Sequence, residues 1–165
     1  MSRGRILLAG AVAALVVVLD QASKLWATEA LRGHPPVTVV EDFFHLVYHR
    51  NTGGVFGLFS GSPSGLRITL FVIVTLAALG FVVYLIREWG RESRSALVAL
   101  SLVAGGALGN LIDRIAYGEV IDFIDWHWHG HHWPAFNVAD SAITVGTAIL
   151  LFSVFFSREN TFKAP

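Results

Sequence analysis

Two aspartates in the second half of the chain stand where carboxylates can do chemistry. Asp140 immediately precedes residues 141–157, a run without any charge, and Asp122 lies upstream in the polar connection before it. A pair of carboxylates can take one proton from water and give another to a leaving group, because two close like charges do not both ionise easily. The two aspartates therefore indicate general acid–base hydrolysis at the boundary of an apolar segment.

The composition indicates a membrane protein. Of the 165 residues, 54% are hydrophobic and only 15% are charged, which is too apolar for an ordinary soluble domain. The formal net charge is +0 and the basic residues are scattered, a pattern that excludes the electrostatic surface of a nucleic-acid-binding protein. The chain has no cysteine, so disulfides, thiolate metal sites and cysteine nucleophiles are excluded.

Four apolar segments approach the length that crosses a bilayer. They predict an all-α membrane protein, a single domain over residues 1–165. The predicted spans lie at about residues 6–27, 67–86, 96–114 and 139–157. A cleaved signal peptide is the alternative for the first segment, but no small-residue cleavage site followed by a polar region is present. Basic residues concentrate in the short segments beside the termini and the second-to-third connection, which predicts cytoplasmic termini.

The two long connections, residues 31–66 and 113–139, then lie outside the membrane. The first contains β-branched and aromatic runs that predict a small sheet between the first two helices. These runs are residues 37–40, 43–48 and 55–59. The second connection is rich in tryptophan and histidine, and it is predicted as an interfacial loop or helix because tryptophan is enriched at membrane surfaces.

Polar residues at the ends of the apolar segments are functional candidates, because ionisable groups at membrane depth are costly. The predicted topology places all of them at the outer ends of their helices. Asp20 and Lys24 stand at i and i+4 and predict a structural ion pair. Asn110, Asp113 and Arg114 share one face of the third helix. A pair between Arg114 and Asp113 is the simplest structural role there, whereas Asn110 needs a partner away from lipid.

Asn137 and Asp140 flank the start of the fourth helix, where both residue types are favoured as caps. One of them is expected to cap the helix, and the helix N-terminus favours the ionised form of a nearby carboxylate. Capping alone does not require both residues. A catalytic role for Asp140 therefore remains the stronger interpretation.

A histidine cluster in the second connection offers a second hypothesis. Its members are His127, His129, His131 and His132. Imidazole is a common metal ligand, but the alternation with tryptophan indicates an interfacial loop, and the cluster supplies no carboxylate at ligand spacing. The sequence predicts no metal site and no cofactor. The alternatives are a small membrane metal-binding or transport protein that uses this loop, and a scaffold whose polar residues only hold helices together.

Five motifs in order along the chain resemble those of the bacterial lipoprotein signal peptidases (signal peptidase II). They are residues 20–24 (DQASK), 51–56 (NTGGVF), 105–114 (GGALGNLIDR), 120–123 (VIDF) and 136–141 (FNVADS). The resemblance covers essentially the whole chain. It implies a membrane aspartic endopeptidase that removes the signal peptide from diacylglyceryl-modified prolipoproteins, cutting before the lipid-modified cysteine.

By position, the resemblance implies that Asp122 and Asp140 are the catalytic dyad. The substrate-binding or dyad-supporting positions are Asn51, Asn110, Arg114 and Asn137, and the structural polar positions are Asp20, Lys24 and Asp113. The implied partners are prolipoprotein substrates and membrane lipid, with a monomeric enzyme in the inner membrane and an active site near the outer leaflet. Val55, where the family usually has alanine, and the histidine-rich insert are departures that bear on substrate or inhibitor fit.

Overall fold

Four α-helices carry most of the chain in a computed structural model, which describes residues 1–53 and 64–159. The helices are α1 (Arg3–Leu31), α2 (Ser64–Glu88), α3 (Arg94–Tyr117) and α4 (Val138–Glu159). Each predicted span lies inside one of them. The third run of the predicted sheet, residues 55–59 with Val55, lies outside the described residues.

Three of the helices are long and apolar enough to cross a membrane, judged by length and composition over the described residues. The mean hydropathy of an 18-residue stretch is 2.1 within Arg3–Leu31, 2.6 within Gly65–Arg91 and 1.8 within Arg94–Tyr117. Val138–Ser153 is also an apolar helical segment, but it is shorter. The protein is therefore a mostly helical membrane-type fold with a small antiparallel sheet.

Side chains at the helix ends satisfy backbone groups that have no partner inside the helix. Ser2 caps α1 by accepting a hydrogen bond from the Arg5 N–H, and Ser93 caps α3 by accepting one from the Ala96 N–H at 3.2 Å. The α3 helix ends at Gly118, whose φ of +78° is left-handed and favours glycine. This sharp end turns the chain directly into the strand that carries Asp122.

Small residues let α3 pack closely between α1 and α4. A Cβ added at Gly105 would lie 2.8 Å from the carbonyl oxygen of Ala13 in α1, and one at Gly109 would lie 2.5 Å from the Asp20 carboxylate. On the α4 side, a Cβ at Gly146 would meet the carbonyl oxygen of Ala99 at 2.5 Å. The spacing of Gly105 and Gly109 therefore serves close contact between helices.

The sheet is built from both long connections. It contains β1 (Val37–Val40), β2 (Phe44–Asn51), β3 (Val120–Trp128) and β4 (His131–His132), in that order and antiparallel. The prediction of an interfacial loop or helix between α3 and α4 is wrong, because residues 120–128 form a strand, of which residues 120–126 pair with β2 over the register from Asn51↔Val120 to Phe44↔Trp126. β2 and β3 are far apart in the sequence, and the local periodicity of a strand does not show which remote strand it pairs with.

A two-residue turn joins β3 to β4. His129 and Gly130 have φ values of +49° and +77°, and the flanking Trp128 and His131 are paired. Positive φ at both central residues is typical of a type I′ hairpin turn, for which glycine at the second position is favoured. The His-Gly step was thus a hairpin signal that the loop interpretation missed.

The sheet is anchored on the end of α1. Phe123 of β3 is buried with Ala27 and Leu31 of α1, and Leu46 and Tyr48 of β2 pack against the same cluster. Removal of this apolar surface from water stabilises the sheet against the helix. The anchor fixes β3, and with it Asp122, beside the polar end of the helices.

Candidate active site

A buried ionic network joins α1 to α3. The Lys24 Nζ lies 2.8 Å from Asp20 Oδ2 and 2.9 Å from Asp113 Oδ2, and it donates to Asn110 Oδ1 at 3.0 Å. The side chains of the three charged residues are at most 2% exposed. Three acceptors match the three protons of an ammonium group. The predicted ion pair of Asp20 and Lys24 is confirmed, but Lys24 rather than Arg114 is the partner of Asp113.

Gln21, for which no role was predicted, completes the network. Its Nε2 donates to Asp113 Oδ1 at 2.8 Å and approaches both Asp20 Oδ2 and the Gly109 carbonyl at 3.2 Å. Its position between Asp20 and Lys24 in one polar motif could have indicated that it belongs to the same network. The amide adds donors where two carboxylates face one ammonium, which lowers the cost of burying the second acid.

The same two carboxylates also bind the backbone of the elements that carry Asp122 and Asp140. Asp20 Oδ1 accepts the N–H of Ala139 at 2.9 Å, one residue before Asp140. Asp113 Oδ2 accepts the N–H of Ile121 at 3.2 Å, one residue before Asp122. The ionic network thus holds both candidate catalytic residues through their neighbours.

Asn137 connects the two candidate catalytic carboxylates directly. Its Nδ2 donates to Asp122 Oδ1 at 2.7 Å, and its Oδ1 accepts the N–H of Asp140 at 2.9 Å. The Asn137 N–H approaches Asp140 Oδ2 at 3.3 Å, so the two residues form a reciprocal capping arrangement at the start of α4. Capping and the orientation of Asp140 are therefore one interaction, and the sequence had offered them as alternatives.

Asn110 has the hydrogen-bond partners that its position away from water requires. Its Nδ2 donates to Asp140 Oδ1 at 2.8 Å, while its Oδ1 accepts from Lys24 and from Asn137 Nδ2 at 3.1 Å. The amide therefore uses both its donor and its acceptor inside the protein, where water is not needed to satisfy it. The chain of bonds from Lys24 through Asn110 to Asp140 is continuous.

Asn51 holds the second oxygen of Asp122. Its Nδ2 donates to Asp122 Oδ2 at 2.9 Å, and its Oδ1 accepts the N–H of Gly53 at 2.7 Å. Gly53 has a φ of +85°, and a Cβ there would meet the Phe71 ring at 2.6 Å. Glycine is therefore required at this turn both by backbone conformation and by the close approach of α2.

Burial raises the pKa of Asp122 to about 6. The side chain is 1% exposed, and the charge of Asp140 raises the pKa further. The hydrogen bonds from Asn51 and Asn137 and the charge of Lys24 lower it, but less than burial raises it. Asp122 is thus a carboxyl group that keeps its proton up to about pH 6, above the range of an ordinary carboxyl group, which suits an acid catalyst.

Two cavities lie at the site: one borders Asp140, and the other is lined by Asn51, which bonds Asp122. An apolar cavity of about 320 Å³ lies against Asp140. Its lining residues are Trp126, Trp133, Phe136, Asp140, Ser141, Thr144 and Val145. The tryptophans and Phe136 were not among the predicted site residues, although Phe136 stands in the same motif as Asn137. A carboxylate at the edge of an apolar cavity suits a substrate with an apolar group beside the reacting bond.

The second cavity is more polar and contains Asn51, Arg114 and Asp125. The Arg114 guanidinium stands 5.1 Å from the centre of the Phe71 ring and donates a long hydrogen bond, 3.5 Å, to the Asn110 carbonyl. It is not engaged in a close ion pair among the described residues, so its donors remain available to a ligand in the cavity. Trp133 lines both cavities and separates them.

The hairpin divides the predicted histidine cluster into a facing pair and two separate residues. His127 lies in β3 and His132 in β4, where the two are opposite each other, while His129 is in the turn and His131 is exposed. None of the four takes part in the hydrogen-bond network around Asp122 and Asp140 that the described residues form.

Comparisons with known proteins give a consistent result. The family model for signal peptidase II matches residues 12–156. A lipoprotein signal peptidase of Syntrophotalea carbinolica is 46% identical over 142 residues, covering 86% of this chain and 87% of that protein. One from Geobacter metallireducens is 45% identical over 139 residues, covering 84% and 85%. A solved bacterial membrane enzyme structure superposes with a TM-score of 0.83 at 32% identity, covering 96% and 93% of the two chains.

Proposed function

Because the chain belongs to the signal peptidase II family of membrane aspartic peptidases, we propose that Asp122 and Asp140 are the dyad with which it removes signal peptides from prolipoproteins. The observation that carries this proposal is the bridge through Asn137, which bonds the Asp122 carboxylate and the backbone of Asp140. Family membership also favours a peptidase over a metal-transport protein. The scissile bond is the one before the diacylglyceryl-modified cysteine.

The proposed mechanism uses one proton shared by the two carboxyl groups. The raised pKa of Asp122 favours a state in which one carboxyl is protonated and the other ionised. The ionised group takes a proton from a water molecule as that water attacks the scissile carbonyl. The protonated group then gives its proton to the leaving amine. No metal or covalent intermediate is required, and the titration belongs to the pair.

The two cavities suggest how the substrate is held. The apolar cavity against Asp140 is suited to an apolar group next to the scissile bond, such as the start of the diacylglyceryl chains. Asn51 and Arg114 in the polar cavity supply donors for the peptide backbone and for charge that develops on the carbonyl oxygen. Asn110 and Asn137 orient the carboxylates, whereas Asp20, Lys24 and Asp113 support them from behind.

The proposed topology has four spans, both termini in the cytoplasm and the dyad near the outer leaflet of the inner membrane. Three apolar helices and the shorter α4 support four crossings. Trp126, Trp128 and Trp133 are 47%, 70% and 67% exposed near the sheet, which suits an interface with lipid headgroups. The enzyme is proposed to act as a monomer embedded among its lipids.

Cleavage of a diacylglyceryl-modified prolipoprotein by the purified protein tests the dyad. Asp122→Asn and Asp140→Asn keep the side-chain shape and remove the proton exchange, so each is expected to lower kcat by at least about 1,000-fold. Glu41→Gln, at an exposed acid, is the matched control and should keep full activity. Retention of more than about a tenth of the activity in Asp122→Asn would overturn the assignment.

The absence of cysteine from the sequence makes the topology directly testable. Single variants His131→Cys and Glu92→Cys are labelled in intact cells with a membrane-impermeant maleimide. His131→Cys should react from outside, and Glu92→Cys only after the membrane is permeabilised. Labelling of Glu92→Cys in intact cells would contradict cytoplasmic placement of the α2–α3 connection.

A further inference from the structure

A second group of ligating side chains lies on the sheet, apart from the carboxylate dyad. His45 of β2 is opposite Asp125 of β3, and His127 of β3 is opposite His132 of β4. Asp125 and His127 are two residues apart on one strand, so their side chains leave the same face. Three strands therefore bring three imidazoles and one carboxylate into a single patch.

The distances within this patch are those of a preformed ligand set. The ligand atoms of His45, Asp125 and His127 all lie within 4.8 Å of one another. His45 Nδ1 is 3.9 Å from Asp125 Oδ2, and the rings of His45 and His127 are 4.1 Å apart. Ligand atoms bound to a tetrahedral zinc ion are about 3.3 Å apart, given zinc–ligand bonds of about 2.0–2.2 Å. Small side-chain movements would close the set around an ion.

The hydrogen bonding of the patch leaves one ligand atom available. Asp125 is 8% exposed, and His132 Nδ1 lies 3.0 Å from both of its oxygens. His127 Nδ1 is buried and has no hydrogen-bond partner among the described residues. A buried nitrogen without a partner is costly, and a metal ion bound between the rings would supply one.

We propose that His45, Asp125 and His127 bind a divalent transition-metal ion, with Zn²⁺ preferred. Two imidazoles and one carboxylate leave a fourth position for water or an external ligand. His132 bonds the Asp125 carboxylate and orients it, as outer partners of metal ligands commonly do. The site has no role in the proposed proton transfer and stands independently of it.

The position of the site gives it a structural and regulatory consequence. Asp125 and His132 line the polar cavity together with Asn51 and Arg114. A bound ion would cross-link β2 and β3 and place positive charge on the wall of this cavity. This wall of the cavity would be stiffened, and an anionic headgroup in the cavity would be attracted to the ion.

Direct binding of Zn²⁺ to the full chain tests the proposal. The protein is purified in detergent without a histidine tag, stripped with a chelator and titrated with Zn²⁺ by calorimetry. One ion per chain is expected, with His45→Gln and His127→Gln weakening binding by more than about 100-fold. His132→Gln should weaken it by about 10–100-fold. His129→Gln and His131→Gln, outside the ligand set on the same hairpin, should change it by less than about threefold.

The proposed site would be overturned if Zn²⁺ binding were not saturable or were unchanged in His127→Gln. It would also be overturned if His129→Gln and His131→Gln weakened Zn²⁺ binding as much as the ligand variants do, since this would indicate adventitious binding to surface histidines only. Folding of each variant is checked by thermal unfolding in detergent. Co²⁺ binding to the unmodified protein gives a measurement that needs no variant, since strong visible bands indicate a four-coordinate site and weak bands an open octahedral ion.

Discussion

The carboxylate of Asp20 accepts a hydrogen bond of 2.9 Å from the backbone N–H of Ala139. This bond joins the C-terminal half of α1 to the first turn of α4, and the residue after Ala139 is Asp140. It is fully buried, since both residues are 0% exposed. The orientation of Asp140 therefore depends on a helix that begins more than a hundred residues earlier in the chain.

We expect Lys24→Met to destabilise the protein by about 3–5 kcal/mol, because it leaves the buried carboxylates of Asp20 and Asp113 without their cation. The measurement is thermal unfolding in detergent. Arg3→Met, at an exposed position of α1, is the matched control and should change the melting temperature little. An unchanged melting temperature in Lys24→Met would mean that the network contributes no stability.

Asn137→Ala should cost both stability and activity. The variant loses the cap of α4, worth about 1 kcal/mol, and also the bonds to Asp122 and Asp140, so kcat should fall by about 100-fold or more. Ser93→Ala removes the corresponding cap of α3 and should lower stability by a similar amount while cleavage stays normal. Equal activity losses in the two variants would show that Asn137 acts through helix stability alone.

Cleavage should depend on pH through the proton of the dyad. The pKa of Asp122 is raised to about 6, chiefly by burial, so the singly protonated pair becomes scarcer as pH rises above that value. We expect kcat/KM to decline above about pH 6, approaching tenfold per pH unit, with an apparent pKa that belongs to the pair. A rate that is flat from pH 6 to 9 would contradict a shared proton.

The stability of the folded protein should also depend on pH through the proton of Asp122. The pKa of Asp122 in the folded state lies above its ordinary value of 3.8, so the folded state binds more protons than the unfolded state between pH 3.8 and about 6. Its contribution is fully present below about pH 4 and is lost as pH rises through about 6. As pH rises through this window, the melting temperature of Asp122→Asn should therefore rise relative to that of the unmodified protein. Outside the window the difference between the two melting temperatures should be constant.

Gly109→Ala should loosen the contact between α1 and α3. Its Cβ would lie 2.5 Å from Asp20 Oδ2, so the ionic network must shift, at a cost of about 1–3 kcal/mol. Gly10→Ala places a Cβ where no atom lies within 4 Å, and it should be neutral or stabilising because alanine favours a helix. Thermal unfolding of both variants, with their cleavage rates, checks the comparison.

The sequence by itself determined the helices and the identity of the polar set. Apolar segments of membrane length and the i, i+4 spacing of Asp20 and Lys24 are local patterns, and local patterns are readable because helix neighbours are also sequence neighbours. The polar residues at the ends of the apolar segments could be identified as candidates from the sequence, because ionisable groups at membrane depth are costly. The roles of Asp122 and Asp140 as a pair came from the family resemblance and the chemistry of carboxylates.

Only the tertiary structure decided how these residues meet. The pairing of β2 with β3, the bond from Asp20 to Ala139 and the convergence of His45 on Asp125 join segments far apart in the chain. The sequence therefore predicted a loop where β3 stands and left His45 out of the histidine cluster. Such contacts depend on how helices and strands pack in space, and no short-range spacing encodes that packing.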